Sequence, residues 1–323
     1  MSDSAMNLVK NKKNDGVVIV LGAAGFIGRH VCKKLSSKGL VVLGLGNGDW
    51  NASEWSGWGI SSWLKSEIEI ASLDAVSAGF EEPIGIINCA GNSSVYKSYE
   101  FPFVDFQRTT SSTNAALEWI RTRTNNKAKF VLVSSAAVYG NVGNQDAFES
   151  SQCDAVSPYG VNKQAAEMLC ESYSKFFGVS TSVVRLFSVY GIGLKKQLLW
   201  DAMNKFKRKE YIFYGTGNEI RDWIHVDDAS ELLYKAMMQK GIGVDYYNGG
   251  AEKKMVKEVL GILLSMYGES IELIFTGEEH KGNPSRLTAN CERTKSILDW
   301  TPTISLNDGL KNYVEWFKML TIN

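Results

Sequence analysis

Short apolar runs alternate with longer stretches of helical spacing through roughly the first 190 residues of the chain. Residues 16–22 form a continuous, β-branched run that predicts a strand buried on both faces. Residues 29–39 carry apolar side chains at helical spacing and end on a glycine, and residues 40–45 form a second apolar run. This order of strand, glycine turn, helix and strand predicts a βαβ unit.

The alternation continues along the chain and predicts further elements of both kinds. Buried strands are predicted at 84–89, 130–133 and 182–186, and long helices at 106–121 and 159–177. Alternating strands and helices are typical of α/β proteins. The expected fold is therefore a Rossmann-type, doubly wound parallel sheet.

The pattern loosens in the C-terminal part of the chain. Helices are predicted there at 198–207, 226–239 and 256–267, with short strands at 212–214 and 271–275. We expect a loose tail over 1–15, a dinucleotide-binding Rossmann domain over 16–190, and mostly a smaller mixed α/β substrate-binding lobe over 191–323. Residues 222–240 are expected to return to the Rossmann domain.

Charge and cysteine usage narrow the class of protein. Lys and Arg together number 35, as do Asp and Glu, so the chain has no basic excess of the kind that indicates nucleic-acid binding. The 5 cysteines are widely spaced without a C-x-x-C pair, which favours reduced thiols in the cytoplasm over disulfides or a zinc site. The histidines give no metal-binding pattern. No apolar run reaches the ~18 residues of a membrane span, so we expect a cytoplasmic protein without a membrane partner.

Residues 50–63 are unusually rich in tryptophan, with Trp50, Trp55, Trp58 and Trp63. We interpret this segment as a packed excursion that covers the core. A wall beside the adenosine end of a coenzyme, or a surface between subunits, are the alternatives.

A glycine-rich turn links the first predicted strand to the first helix. Gly22, Gly25 and Gly28 are spaced G-x-x-G-x-x-G, with Phe26 and Ile27 between the last two. Glycines at such a turn allow a tight bend and close approach of a pyrophosphate, and the helix N-terminus offers free N–H groups. These five residues are the candidate site for the phosphates of a dinucleotide.

The end of the second strand determines how the adenosine ribose of a dinucleotide is held. An acidic residue normally binds the ribose hydroxyls of NAD at this point. The expected position is Gly46, followed by Asn47 as a candidate cofactor contact, while Asp49 comes late. The chain thus lacks an acidic residue at Gly46 for NAD, and it has no arginine close by in sequence to bind the 2′-phosphate of NADP. The expected cofactor is therefore NAD or NADP.

Tyr159 and Lys163 form a Y-x-x-x-K pair at the start of a predicted helix. Side chains four apart share one helix face. An ammonium near a phenol stabilises the phenolate and lowers the pKa of the tyrosine, which suits proton exchange with a sugar hydroxyl near neutrality. The pair is therefore the candidate catalytic acid/base.

Two serines end the strand predicted at 130–133. Ligands of open α/β sheets bind at the carboxyl ends of strands, where a hydroxyl can hydrogen-bond the reacting oxygen. We select Ser135 for that role. Ser134 in its place, or two serines that merely cap the strand end, are the alternatives.

These motifs and three others carry a family resemblance. The others are Asn88-Cys89-Ala90-Gly91, Arg185-Leu186-Phe187-Ser188-Val189-Tyr190-Gly191 and Arg221-Asp222-Trp223-Ile224-His225-Val226-Asp227-Asp228. In this order, over residues 16 to about 310, the chain resembles the extended short-chain dehydrogenase/reductases, the NAD-dependent epimerase/dehydratase group.

The resemblance implies roles for the matching residues. Tyr159 would be the general acid/base, Lys163 would hold the nicotinamide ribose, and Ser135 would orient the sugar oxygen. The remaining positions are Ala90 at the coenzyme, and Phe187, Ser188 and Arg221 at the substrate. Arg221 would pair with the diphosphate of a nucleotide sugar. A salt bridge from Arg221 to Asp222 or Asp228 is the alternative, and His225 is expected to be structural.

The reaction implied is nicotinamide-dependent oxidation and reduction at a carbon, expected to be C4, of a nucleotide-activated sugar. We favour an epimerase. A keto-sugar reductase, a nucleotide-sugar 4-dehydrogenase and a non-catalytic nucleotide-binding protein are the alternatives. Dehydratases of the family carry Asp-Glu directly after the Ser/Thr, where this chain has Ala136 and Ala137, so 4,6-dehydration is disfavoured.

Three further departures from the family pattern concern binding. Ser188 stands where Asn is common, Thr109–Thr113 replaces a helix run with Asn, and His280–Asn283 replaces Arg-x-Gly-Asp. The resemblance also implies a homodimer in which the helices near 106–121 and 159–177 pair across a two-fold axis. It further implies a role in polysaccharide precursor synthesis.

Overall fold

The structure is a computed structural model that describes residues 15–92, 94–278 and 284–322. All but the last residue of the predicted tail lie outside these ranges. The strands, in chain order, are β1 (Val17–Leu21), β2 (Val41–Gly46), β3 (Ser62–Lys65), β4 (Gly85–Asn88), β5 (Lys129–Ser135), β6 (Thr181–Leu186), β7 (Ser188–Tyr190), β8 (Ile212–Phe213), β9 (Ile220–His225), β10 (Val244–Gly249), β11 (Glu252–Met255), β12 (Ile274–Phe275) and β13 (Arg286–Leu287).

Seven of these strands form one parallel sheet in the order β10-β6-β5-β4-β1-β2-β3. The order reverses at β1 and β4, so the crevice of a doubly wound sheet opens at their carboxyl ends. This confirms the predicted Rossmann-type fold.

Helices cover both faces of this sheet. They are α1 (Phe26–Ser37), α2 (Ala52–Gly57), α3 (Ile70–Ser77), α4 (Val95–Glu100), α5 (Pro102–Phe106), α6 (Ser112–Arg123), α7 (Pro158–Phe177), α8 (Gln197–Lys207), α9 (Val226–Met238), α10 (Val256–Tyr267), α11 (Glu292–Leu298) and α12 (Leu306–Ile322). Along β1, Val18 and Val20 pack in the core shared with α1 and α9, and Ile19 and Leu21 in the core shared with α3, α6 and α7. A strand buried on both faces needs the continuous apolar run seen in the sequence.

The smaller lobe has its own core. Strand β9 pairs with β7, β11 and β13, and β8 pairs with β12. Helices α8, α10 and α12 bury a third apolar cluster that includes Phe206, Leu263 and Phe317. Helix α9 packs on α1, where Lys34 pairs with Glu231 at 3.1 Å, and β10 also joins the main sheet.

The predicted helix 106–121 is divided in the structure. Between α5 and α6 lies a π-helical turn over Gln107–Ser111. Hydroxyls in this Ser/Thr-rich stretch bond back to the backbone, as Ser112 Oγ does to the oxygen of Arg108 at 2.7 Å and Thr113 Oγ1 to that of Thr109 at 2.7 Å. Such bonds compete with the regular ladder and account for the irregular turn.

The tryptophan-rich segment forms α2 and β3. Trp50, Trp55 and Trp63 pack against the core of the main sheet, and Asn51 and Glu54 form a capping box at α2. The segment packs on the core as predicted, but it is not an excursion from the sheet, because β3 pairs with β2 as an edge strand. Among the described residues, no helix has the length and apolar composition needed to cross a bilayer.

Candidate active site

The turn after β1 depends on glycine geometry. Gly22 has φ +72°, and a Cβ there would lie 2.8 Å from the backbone nitrogen of Ala90. A Cβ on Gly28 would lie 2.2 Å from the carbonyl oxygen of Gly22, so α1 packs directly on the turn. Gly25 is the N-cap of α1 and brings no capping side chain. The first amides of α1, starting with Phe26 and Ile27, can therefore meet a phosphate group.

The end of β2 lies beside this turn. Gly46 has φ +155°, which side-chain-bearing residues rarely adopt, and a Cβ there would lie 3.4 Å from Gly22 Cα. The missing acidic residue at this position therefore has a backbone reason. Asn47 donates to Glu67 Oε1 at 2.8 Å, and Asp49 pairs with Lys65. Asp49 is thus already engaged away from a ribose.

An arginine does reach this region, contrary to the sequence analysis. Arg29, one turn into α1, donates to the carbonyl oxygen of Ala24 at 2.7 Å. Its guanidinium lies 5.2 Å from the ring centroid of Trp50 and 5.4 Å from that of Trp58. Sequence separation hid this contact, which arises because the adjacent parallel strands β1 and β2 end at the same edge of the sheet.

The candidate catalytic tyrosine, Tyr159, lies on the first turn of α7. Ser157 caps this helix by accepting from the amide of Gly160 at 3.1 Å, and Pro158 occupies its first position. The amide of Tyr159 donates to Ser98 Oγ at 3.1 Å. The sequence analysis expected a lowered pKa for Tyr159, but burial raises it above its ordinary value, and a hydrogen bond with Ser135 opposes that rise only in part. The phenol and the hydroxyl of Ser135 therefore meet at the end of β5.

Lys163 is buried one turn further along α7. Its Nζ donates to the carbonyl oxygen of Val133 at 2.9 Å and lies 5.9 Å from the ring centroid of Tyr159. Burial lowers the pKa of Lys163 to about 8, although Cys89, Asp105 and Glu167 oppose that change. The ammonium of Lys163 therefore lies beside the phenol, and its pKa is close to neutral pH.

The two serines that end β5 face different surroundings. Ser134 is 3% exposed and donates to Glu167, which also forms a buried ion pair with Arg185 at 2.7 Å. Ser135 is bonded to Tyr159 and accepts from the amide of Ala137 at 3.2 Å. The geometry favours Ser135 for contact with a substrate, and Ser135 caps the short turn as well.

The predicted substrate residues lie on the smaller lobe and at its junction with the sheet. Phe187 packs against Tyr139, with ring centroids 6.2 Å apart. Ser188 of β7 is opposite Trp223 of β9, so Arg221, two residues earlier on β9, projects on the same face as Ser188. These placements bring Ser188 and Arg221 to one surface of the small sheet.

The alternative salt bridges of Arg221 are not favoured by the bonds of the two aspartates. Asp222 accepts from the amides of Ala251 (2.6 Å) and Ala289 (3.0 Å). Asp228 accepts from the amide and the hydroxyl of Thr303 and from the amide of Ile304. Both carboxylates therefore hold loops of the lobe in place.

Two of the histidines, His30 and His225, form hydrogen bonds within the protein. His225 accepts from the amide of Asp227 at 3.2 Å and packs on Tyr190, in keeping with a structural role. His30 Nδ1 meets Asp227 at 2.9 Å and its Nε2 meets the oxygen of Ile192 at 2.9 Å. The described residues hold no cluster of metal-binding side chains. The segment His280–Asn283 lies outside them.

Three residues near the site were missed by sequence reasoning. Ser98 anchors the start of α7, Glu167 supports the strand end, and Asp105 bonds Asn162 between the catalytic pair. Glu167 could have been found, because it lies four residues after Lys163 on the same helix face. Ser98 and Asp105 come from other helices and gave no local signal.

Comparisons with known proteins agree with this geometry. Residues 18–249 match the model of the NAD dependent epimerase/dehydratase family. The UDP-glucuronate 4-epimerase of Thermodesulfobacterium geofontis is 28% identical over 316 residues, 94% of this chain and 96% of that one. A probable dTDP-glucose 4,6-dehydratase of Sinorhizobium fredii is 27% identical over 325 residues, 93% of this chain and 92% of its own length.

Solved structures are similar over nearly the whole chain. The UDP-glucose 4-epimerase of Thermotoga maritima, solved with UDP-glucose, has a TM-score of 0.84 and 25% identity, with 94% of this chain and 99% of that one covered. The UDP-glucuronic acid 4-epimerase of Bacillus cereus, solved with UDP-glucuronic acid and NAD, has a TM-score of 0.83, 25% identity and the same coverage.

Proposed function

The chain belongs to the NAD dependent epimerase/dehydratase family, and we propose that it is an NAD-using 4-epimerase of a nucleotide-activated sugar. The observation that carries the proposal is the meeting of Ser135, Tyr159 and Lys163 at the carboxyl end of β5, at the same edge of the sheet as the glycine turn. Ala136 and Ala137 follow Ser135, so the acid and base of a dehydratase are missing. Oxidation and reduction remain as the chemistry that these side chains can support.

The glycine turn fits a dinucleotide. Gly22 and Gly28 make contacts that a Cβ would block, and the uncapped start of α1 offers amides to phosphate. A nicotinamide coenzyme held there would supply reversible hydride transfer at the sugar carbon. The chain itself supplies the binding surface and the proton transfer.

Tyr159 handles the proton in this scheme. Its phenolate takes the proton of the sugar hydroxyl as that carbon is oxidised, and returns it when the keto group is reduced from the other face. Ser135 donates a hydrogen bond that orients the sugar oxygen. Lys163 would stabilise the phenolate by its charge and hold the ribose of the coenzyme.

The finer assignments are part of the same proposal. Arg221, Ser188 and Phe187 would contact the nucleotide sugar, and Asn47 and Ala90 the coenzyme. Residues 16–190, with α9 (Val226–Met238) and β10 (Val244–Gly249) returning to them, would form the dinucleotide domain, and the rest of 191–323 mostly the substrate lobe. A cytoplasmic location and a role in polysaccharide precursor synthesis agree with such a substrate.

A homodimer is supported by exposed apolar side chains on α5 and α7. Val161, Met168 and Phe176 on α7 are 52%, 62% and 67% exposed, and Phe103 on α5 is 69% exposed. Spacings of seven and eight residues place the α7 side chains along one stripe. Such a stripe is suited to helix pairing across a two-fold axis. A monomer mass in solution at micromolar concentration would contradict this part of the proposal.

A keto-sugar reductase that uses NADP is the second candidate. It is favoured by two observations at the end of β2. Gly46 leaves no carboxylate to repel a 2′-phosphate, and Arg29 lies near the glycine turn. A dehydrogenase uses the same trio, so coenzyme turnover is the property that separates these reactions.

The test is direct. Purified protein is incubated with UDP-glucose, UDP-glucuronic acid or dTDP-glucose without added coenzyme, and products are identified by NMR. Conversion to the 4-epimer, with stoichiometric NAD released on denaturation, is expected. Oxidation of one of these sugars that requires added NADP+ and forms NADPH stoichiometrically, which is the reverse of keto-sugar reduction, would replace the epimerase by the reductase. Tyr159→Phe is the matched control, and unchanged activity in it would refute both.

A further inference from the structure

A buried carboxylate outside the catalytic trio lies against the catalytic helix. Asp105 of α5 is 0% exposed, and its Oδ2 accepts from Asn162 Nδ2 at 2.7 Å. Asn162 lies on α7 between Tyr159 and Lys163. The other oxygen of Asp105, Oδ1, has no hydrogen-bond partner within the described residues. A fully buried carboxylate with an unused oxygen is costly, so this arrangement requires an explanation.

The neighbouring Thr109 adds a second unused group. It lies four residues further along the same helical stretch, is 1% exposed, and its hydroxyl also has no partner in the described part of the chain. A Cβ on Gly91 would lie 3.1 Å from both Thr109 Oγ1 and Lys163 Nζ. Thr109 Oγ1 and Lys163 Nζ therefore both lie against the backbone of Gly91, where a side chain would crowd them.

The other anions near Lys163 are compensated. Glu167 is paired with Arg185 at 2.7 Å and accepts from Ser134. Burial raises the pKa of the Cys89 thiol to about 12, so this group is neutral at ordinary pH. Asp105, by contrast, has the amide of Asn162 as its bonded partner. The carboxylate of Asp105 is therefore bonded to the turn between Tyr159 and Lys163 and has one oxygen without a partner among the described residues.

We propose that Asp105 is a positioning residue that holds the Asn162 turn of the catalytic helix and acts on Lys163 and Tyr159 through the charge of its buried carboxylate. The inference rests on the proposed function, in which Tyr159 and Lys163 are the acid/base pair. The directions of the pKa changes of Lys163 and Tyr159 agree with this proposal. Burial lowers the pKa of Lys163, and Asp105 acts against that change together with Cys89 and Glu167. Asp105 also adds to the rise that burial causes in the pKa of Tyr159.

The pH dependence of turnover tests this proposal. Asp105→Asn keeps the shape of the side chain and an oxygen for Asn162 but removes the charge. Both limbs of the pH profile of kcat should then move to lower pH by about one unit, because the phenol and the ammonium each lose their proton more readily. The profile is measured between pH 5 and 10 with the sugar that the wild type converts.

Thr110→Val is the matched control. Thr110 Oγ1 donates to the carbonyl oxygen of Asn162 at 3.2 Å. This variant therefore loosens the same turn from the same helical stretch without a change of charge. Its kcat should fall while both limbs stay in place. A profile of Asp105→Asn that falls without moving, as in this control, would reduce Asp105 to a structural residue and overturn the proposal.

Two further measurements keep the test decisive. If Asp105→Asn does not fold, Asp105→Ser removes the charge while leaving an acceptor for Asn162, and the same shift is expected. NAD binding, followed by tryptophan fluorescence against pH, does not need turnover. A wild type that binds NAD but converts no sugar refutes the proposed function alone. An unchanged pH midpoint of NAD binding in the neutral variants refutes the role of Asp105.

Discussion

The two ends of the candidate cleft are built in different ways. At the catalytic end, which comprises Ser135, Tyr159 and Lys163, side chains are fixed by buried partners on three different elements. At the ribose end, residues 46–49 after β2, the shape is set by backbone, with Gly46 at φ +155°. Side chains there engage exposed neighbours, as Asp49 does with Lys65.

Because the two ends are built differently, substitutions at each should affect stability and catalysis to different degrees. A buried side chain with several partners carries both stability and chemistry, because removing it leaves those partners without bonds. A glycine in a conformation that other residues avoid carries stability through the backbone alone. An exposed pair carries little of either. The effects of substitutions should follow this ranking.

The largest effect is expected where the catalytic end is supported from below. Glu167→Ala leaves the buried guanidinium of Arg185 without its partner and removes the acceptor of Ser134. Loss of one member of a buried pair costs about 3–5 kcal/mol in the free energy of unfolding. Urea unfolding measures it. Glu118→Ala, which breaks the more exposed pair with Arg121, is the control and should cost less than about 1 kcal/mol.

The two serines of β5 should separate chemistry from stability. Ser135→Ala removes the hydroxyl bonded to Tyr159, and kcat is expected to fall about 10²-fold, as when one donor to a reacting oxygen is lost. Ser134→Ala should leave kcat within a few-fold and lower stability instead, because Ser134 bonds Glu167 beneath the site. Equal losses of kcat in both variants would contradict the assignment.

The contrast between the two ends also explains what the sequence could predict. The glycine turn, the Tyr159–Lys163 pair and the buried strands are local patterns, and each follows from spacing along one or two elements. Their chemistry requires neighbouring residues on one helix or turn, so a single segment reveals it. The sheet order and the meeting of α7 with β5 then follow from the rules of parallel sheets.

Other features depend on contacts between distant segments. Arg29 contacts the tryptophan segment only because β1 and β2 end at the same edge of the sheet. Asp105 of α5 contacts Asn162 of α7, which is distant in sequence. The division of the predicted helix 106–121 at Gln107–Ser111 arises from hydroxyls that bond the backbone. Residues of this kind carry no periodic or spacing signal, so sequence alone did not find them.

A smaller effect is expected when the ribose end is given the acidic residue that it lacks. Gly46→Asp forces a side chain into φ +155°, and the strain should cost about 1–3 kcal/mol of stability without improving NAD affinity. Gly57→Ala is the matched control, because a Cβ there meets nothing within 4 Å. It should leave the unfolding midpoint nearly unchanged. Tighter NAD binding by Gly46→Asp would show that backbone geometry does not control this end.

The smallest effect is expected at the exposed pair of the same end. Asp49 is 90% exposed and Lys65 56% exposed, so their attraction is screened by water and salt. Asp49→Ala should change neither the unfolding midpoint nor the dissociation constant of NAD beyond experimental error, at low or at high salt. Fluorescence titration and thermal unfolding measure both. A several-fold loss of NAD affinity would mean that Asp49 leaves Lys65 to bind the ribose, and the ribose end would then depend on a side chain as the catalytic end does.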